Sequence, residues 1–207
     1  MKPTIAIALM ALTGLGAASS AARASEWSID PTHTTAEFSV RHMMVTELKG
    51  QFGKVTGTLD LDDKDPTRSK VDVTVDAATI DTHEAKRDAH LKSPDFFDVA
   101  KHPTLTFKST KIAKAGKTGF KVTGDLTMRG VTKPVVLDVE GPSAAVKSPM
   151  GQMIRGVRVT GKISRKDWGL NWNKALEAGG FLVGDDVKIE VDAELSEKAP
   201  PAASAAK

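Results

Sequence analysis

Val55-Thr56-Gly57-Thr58-Leu59-Asp60-Leu61 sets Val55, Gly57, Leu59 and Leu61 at every second position, with Thr56, Thr58 and Asp60 between them. Successive side chains of a strand point to opposite faces, so this stretch has one dry face and one wet face. Val71, Val73 and Val75 alternate with Asp72, Thr74 and Asp76 in the same way. The period returns in Phe38 to His42, Leu105 to Lys108, Phe120 to Thr123, Val135 to Val139, Val157 to Thr160 and Val187 to Leu195, which makes eight predicted strands. Strands buried on both faces of a parallel sheet read as unbroken apolar runs, so alternation argues for antiparallel pairing. The fold class is therefore all-β.

Eight such strands must hide their dry faces. Closure into an antiparallel barrel does so and removes the exposed edges, while a two-sheet sandwich would conceal the same residues. The chain has seven Phe, three Trp and no Tyr, so Val, Leu, Ile, Ala, Gly and Met fill most of the interior. An eight-stranded barrel of such modest side chains has room for one ligand.

Two connections exceed hairpin length. Residues 80–102 carry Asp81 and Glu84 at capping-box spacing ahead of a short predicted helix, Ala85 to Leu91, that ends by Pro94. Residues 166–185 hold Trp168, Leu170, Trp172, Leu176 and Phe181. Apolar residues on long loops pack back on something, as lids over a barrel mouth or as plugs that complete the core.

At the N-terminus, Lys2, an apolar run from Ile5 to Leu15 and Ala22-Arg23-Ala24 read as a secretory signal peptide over residues 1–24, with a mature start at Ser25. The barrel domain is expected over 25–196. Residues 197–207, rich in Ala and Pro, are expected to form a disordered tail. With Lys2 and Arg23 set aside, basic residues exceed acidic ones by one, and both signs are scattered; nucleic acid is not an expected partner. The absence of Cys excludes disulfides, thiolate chemistry and Cys-ligated metal centres.

Catalytic motifs are sparse. There is no G-x-S-x-G, no phosphate-cradling glycine loop and no H-E-x-x-H. Asp60, Asp62, Asp63 and Asp65 do not make a calcium loop, because Asp65 and Val71 stand where Gly and Glu are required. His83, Glu84, Asp88 and His90 read as a solvated helix face rather than as a metal site. On the first strand, Phe38 and Val40 share their parity with His42, which sets an imidazole on the inner wall and Arg41 on the outer one.

Longer stretches carry a resemblance. Trp27-Ser28-Ile29-Asp30-Pro31-Thr32-His33, Phe38-Ser39-Val40-Arg41-His42-Met43, Arg87-Asp88-Ala89-His90-Leu91, Asp95-Phe96-Phe97-Asp98, Gly124 to Pro134, Ser164 to Asn173 and Val183 to Ile189 resemble, in unbroken order, the YceI-like family of polyisoprenoid-binding, lipocalin-like proteins. The likeness runs from Trp27 to about Leu195 and weakens at Ser148 to Ile154. It implies an eight-stranded antiparallel barrel with a short helix near its opening, and a carrier rather than an enzyme. The ligand would be a polyprenyl lipid, a prenyl pyrophosphate or quinone-like molecule, held without a cofactor. Transient contact with a membrane or with electron-transport components fits such a carrier. On the matched motifs, Phe38, Val40, Phe96, Phe97 and Phe107 would line the tunnel, and His42, Arg41, Arg87 and Asn171 would meet the head group. A lipid-processing enzyme and a solid-core secreted interaction module are the competing functions.

Overall fold

The computed structural model describes residues 25–177 and 179–198. The expected signal peptide, and the expected tail beyond Lys198, lie outside them. In chain order the elements are β1 (Ser25–Ile29), β2 (Thr35–His42), β3 (Thr46–Phe52), β4 (Val55–Leu61), β5 (Lys70–Asp76), β6 (Ile80–Asp81), α1 (Ala85–Lys92), β7 (Thr104–Ala115), β8 (Gly119–Met128), β9 (Val131–Glu140), β10 (Val146–Lys147), β11 (Met153–Ser164) and β12 (Val183–Glu197).

Pairing registers reduce these to an up-and-down barrel. β12 pairs with β2 through Val183–Asp192 and with β1 through Leu195–Glu197, so β1 and β2 are two halves of one bent barrel strand. β3 and β4 pair with β2 and β1 respectively and form the second. β5 and β6, separated by a 3-10 turn at Ala77–Thr79, form the third. With β7, β8, β9, β11 and β12, that makes eight antiparallel strands, and each predicted strand falls on a different one. The ring closes where β11 pairs with β12 from Ile154↔Ser196 to Ser164↔Asp186. The β9–β11 seam is the weak one: only Arg158, Thr160 and Val159 pair, with Glu140, Asp138 and Val139.

The wet faces carry cross-strand ion pairs, Lys108–Asp72, Lys121–Asp138, Lys162–Asp186 and Lys188–Glu47 among them, which explains the mixed charge along every strand. Exposed pairs of this kind add at most about 1 kcal/mol each. The dry faces make the core.

Two local expectations need correction. The helix does not start in a capping box: Glu84 is itself the N-cap and accepts from the Lys86 and Arg87 amides, while Asp81 accepts from the His83 amide in a turn. Composition also ended the domain one residue early. β12 runs through Glu197, and the Lys198 amide donates to the Glu26 carbonyl at 2.8 Å, because the strand has β1 beside it to pair with.

The two long connections emerge at the same end of the barrel and are knitted together over it. Arg129, in the β8–β9 turn, donates to the carbonyls of Gly169 and Pro94, one in each connection. The His90 ring meets Trp172 edge-on at 4.7 Å and Phe96 at 5.1 Å. Trp168 is buried and donates from Nε1 to the Leu126 carbonyl at 3.0 Å. At the opposite end, Trp27, Leu61 and Leu195 form a separate cluster with Ala145, Met153 and Val157.

Candidate functional site

Between these two ends the barrel is hollow. A cavity of about 330 Å³ runs along the axis, lined almost wholly by aliphatic and aromatic side chains. Val157, Val159 and Ile163 of β11 all line it, so it extends along at least six residues of one strand, about 20 Å at ~3.3 Å per residue. Leu91, Phe96, Phe97 and Leu170 form its floor at the loop end. The long connections are therefore plugs whose inner surface is also cavity wall.

What keeps the bore open is a pairing of large residues with glycines. A Cβ on Gly50 would lie 2.4 Å from the Phe38 ring, and one on Gly124 would lie 2.4 Å from the Phe107 ring. Leu137 covers Gly161 in the same manner, with 2.5 Å left for a Cβ. Each of these side chains lies flat over a bare stretch of the neighbouring strand, and the axis stays free. Two substitutions separate the consequences. Gly124→Ala also drives its Cβ to 2.5 Å from the Lys108 carbonyl oxygen, which is backbone and cannot yield, so unfolding stability should fall by about 1–3 kcal/mol. Gly161→Ala meets only the far end of Leu137, so stability should change by less than about 1 kcal/mol while Leu137 tilts into the bore. Urea denaturation measures both.

All five residues expected along the tunnel, Phe38, Val40, Phe96, Phe97 and Phe107, line this cavity. The four expected at the head group do not, and the structure does not bring them together. Arg41 is exposed on the outer face, beside Gly184. His42 shares the inward parity but sits on the last residue of β2, opposite Val183 and Thr46, beyond the lining. Arg87 is bound to Thr82, donating from Nε to Oγ1 at 2.8 Å and from Nη2 to the carbonyl at 2.7 Å. Asn171 is exposed; its neighbour Asn173 makes the turn, with Nδ2 on the Val183 carbonyl and Oδ1 accepting from the Val183 amide.

Among the described residues, the buried charged group on the cavity lining is Arg165. It is buried, and its guanidinium donates to the carbonyls of Gly184, Leu170, Trp172 and Val183 and to the Asp185 carboxylate. Burial pushes its pKa down, and Asp185 partly opposes this. Arg165 thus ties the 165–182 connection to the start of β12. Its signal was present in the chain: Val157, Val159, Gly161, Ile163 and Arg165 share one parity. The group His83, Glu84, Asp88 and His90 is dispersed: Glu84 caps α1, Asp88 accepts from Thr82, and His90 faces Asp95 at 2.8 Å. Asp30, His33 and Glu194 do approach one another on the surface, where hydrogen bonds from Thr32 and His33 bring the Asp30 carboxyl down to about 2.

The YceI-like domain model matches residues 27–195. The chain belongs to the YceI-like family. A UPF0312 protein of Staphylococcus aureus (strain MSSA476) is 38% identical to it over 173 residues, covering 83% of this chain and 98% of the relative. The YceI protein of Campylobacter jejuni superposes with a TM-score of 0.65 at 31% identity, over 77% of this chain and 90% of that one. A polyisoprenoid binding domain from Saccharophagus degradans, implicated in plant cell wall breakdown, has the same fold, with a TM-score of 0.59 at 14% identity over 83% of this chain and 98% of its own. Ser148 to Ile154, where the likeness was expected to weaken, form the turn of the β10–β11 hairpin and the start of β11.

Proposed function

We propose that this YceI-like protein is a periplasmic binding protein that carries one long polyisoprenoid lipid, of the prenyl pyrophosphate or quinone-like class, in its barrel, and that it is not an enzyme. The observation that carries this is the axial apolar cavity and the glycine-backed rings that keep it open. A hydrocarbon gains about 0.8 kcal/mol for each CH₂ taken out of water, so a long chain is held by burial alone and needs no cofactor or covalent bond. A solid-core module would have no such space. Phe38, Val40, Phe96, Phe97 and Phe107 are the proposed chain contacts. The polyisoprenoid-binding domain that shares the fold supports the ligand class. Lys2, the apolar run after it and Ala22-Arg23-Ala24 support export. Lipid extracted from natively purified protein and analysed by mass spectrometry should contain about one polyisoprenoid per chain; protein free of such lipid, and unable to take it up, overturns the assignment.

Transient membrane contact has a specific support. The β2–β3 turn places Met43 and Met44 at φ of 48° and 63°, a type I′ arrangement in which Asn-Gly is the usual sequence. Strain of this kind persists where the residues serve something other than the fold. Met43, Met44 and Val45 are 44%, 49% and 76% exposed, and Phe181, also exposed, lies on the adjoining loop, where Gly180 approaches Met44. Replacing Met43-Met44 by Asn-Gly should stabilise the hairpin by about 1 kcal/mol or more and lower sedimentation with phospholipid vesicles at least threefold.

A further inference from the structure

The parity of the inward residues of β11 includes Arg155 near one end of the strand and Arg165 in the 3-10 turn just past the other, about 30 Å of strand, at ~3.3 Å per residue, lying between Arg155 and Ser164. Their situations differ. Arg165 spends its guanidinium on four carbonyls and a carboxylate of its own chain. Arg155 lies opposite Leu195, which lines the cavity, and two residues before Val157, which also lines it. Its side chain is 19% exposed, and its guanidinium stacks on the Trp27 ring, 4.9 Å from the centroid. Nη1 donates to the Ser143 carbonyl at 3.0 Å and Nη2 to Asp63 at 3.2 Å. Nε is fully buried and has no hydrogen-bond partner; among the described residues it is the one such side-chain atom.

A guanidinium offers five N–H donors in a planar fork suited to oxyanions, and a buried donor left unpaired costs free energy that a bound acceptor recovers. Asp63, the one carboxylate on Arg155, sits on an exposed turn and its side chain is more than half exposed, so it can turn to solvent when another anion arrives.

We infer that Arg155 is a binding residue for the oxyanion head of the lipid, a pyrophosphate-class group seated at the Trp27 end, with the hydrocarbon running down the bore toward Phe107 and Phe38. This rests on the carrier reading above and assigns the ligand's direction within it.

The test compares geranylgeranyl pyrophosphate with geranylgeraniol, which has the same tail without the charge. Wild type should bind both and prefer the pyrophosphate. Arg155→Met should weaken the pyrophosphate at least tenfold and change the alcohol less than threefold, while Arg87→Ala, at the loop end, changes neither. In wild type, the Arg155 Nε–H signal in ¹H–¹⁵N spectra should shift and exchange more slowly with the pyrophosphate but not with the alcohol, a readout that holds even if the variant folds poorly. Equal losses for both ligands, or an Nε–H signal unmoved by the pyrophosphate, would overturn the head-group assignment and leave the carrier reading intact. Wild type that binds neither ligand overturns both.

Discussion

Replacing Val159 with Trp is expected to abolish lipid retention and leave the barrel folded. Val159 lies mid-bore on β11, paired with Val139 of β9 and Val191 of β12, and all three line the cavity. An indole at this point occupies the axis from a strand whose backbone pairing it does not disturb. In a close-packed core such an insertion costs about 1–3 kcal/mol or more through displaced neighbours. In an open bore the added ring finds empty space and gains burial, so the change in unfolding free energy should stay within about 1 kcal/mol. Co-purified polyisoprenoid should fall at least tenfold by mass spectrometry. Undiminished lipid would show that the chain lies elsewhere, and gross destabilisation would show that the interior is already full.

Arg165→Met should cost far more stability, about 3–5 kcal/mol by urea denaturation, the usual penalty when one side of a buried polar set is removed. The carbonyls of Leu170, Trp172 and Gly184 would lose the guanidinium together, the Val183 carbonyl would keep only Asn173, and Asp185 would keep only Lys166, at 2.8 Å. Arg165→Lys should recover less than half, because an ammonium offers three donors from one point and cannot span acceptors arranged around a planar fork. The same variants should loosen the 165–182 connection, seen as faster amide exchange at Leu170 and Val183. A loss below about 1 kcal/mol would mean that this connection is held by Trp168 and Leu170 burial instead.

Much of the barrel was legible because strand parity is local. Val55, Gly57, Leu59 and Leu61 declare a dry face without reference to any other segment, and Phe38, Val40 and Phe107, which sit at alternating apolar positions, line the cavity. The same parity continues to Arg155 and Arg165, at the two ends of the Val157–Ile163 column, yet both were passed over in the sequence, because a charged residue at a strand end suggests solvent until its partners are known. Arg87 shows the converse. The matched motif set it at the head group; in the fold, Thr82 takes bonds from its Nε and Nη2.

The chain by itself therefore determined the class of element, the face of each strand and the family, since these depend on backbone geometry and residue order within short stretches. Only the tertiary structure decided that Gly50 and Gly124 face Phe38 and Phe107, that the seam between β9 and β11 is short, and that one arginine is saturated while the other keeps a free donor. Those outcomes depend on which residues lie opposite each other across strands far apart in sequence. Cross-strand register is a property of the closed ring, which no single segment contains.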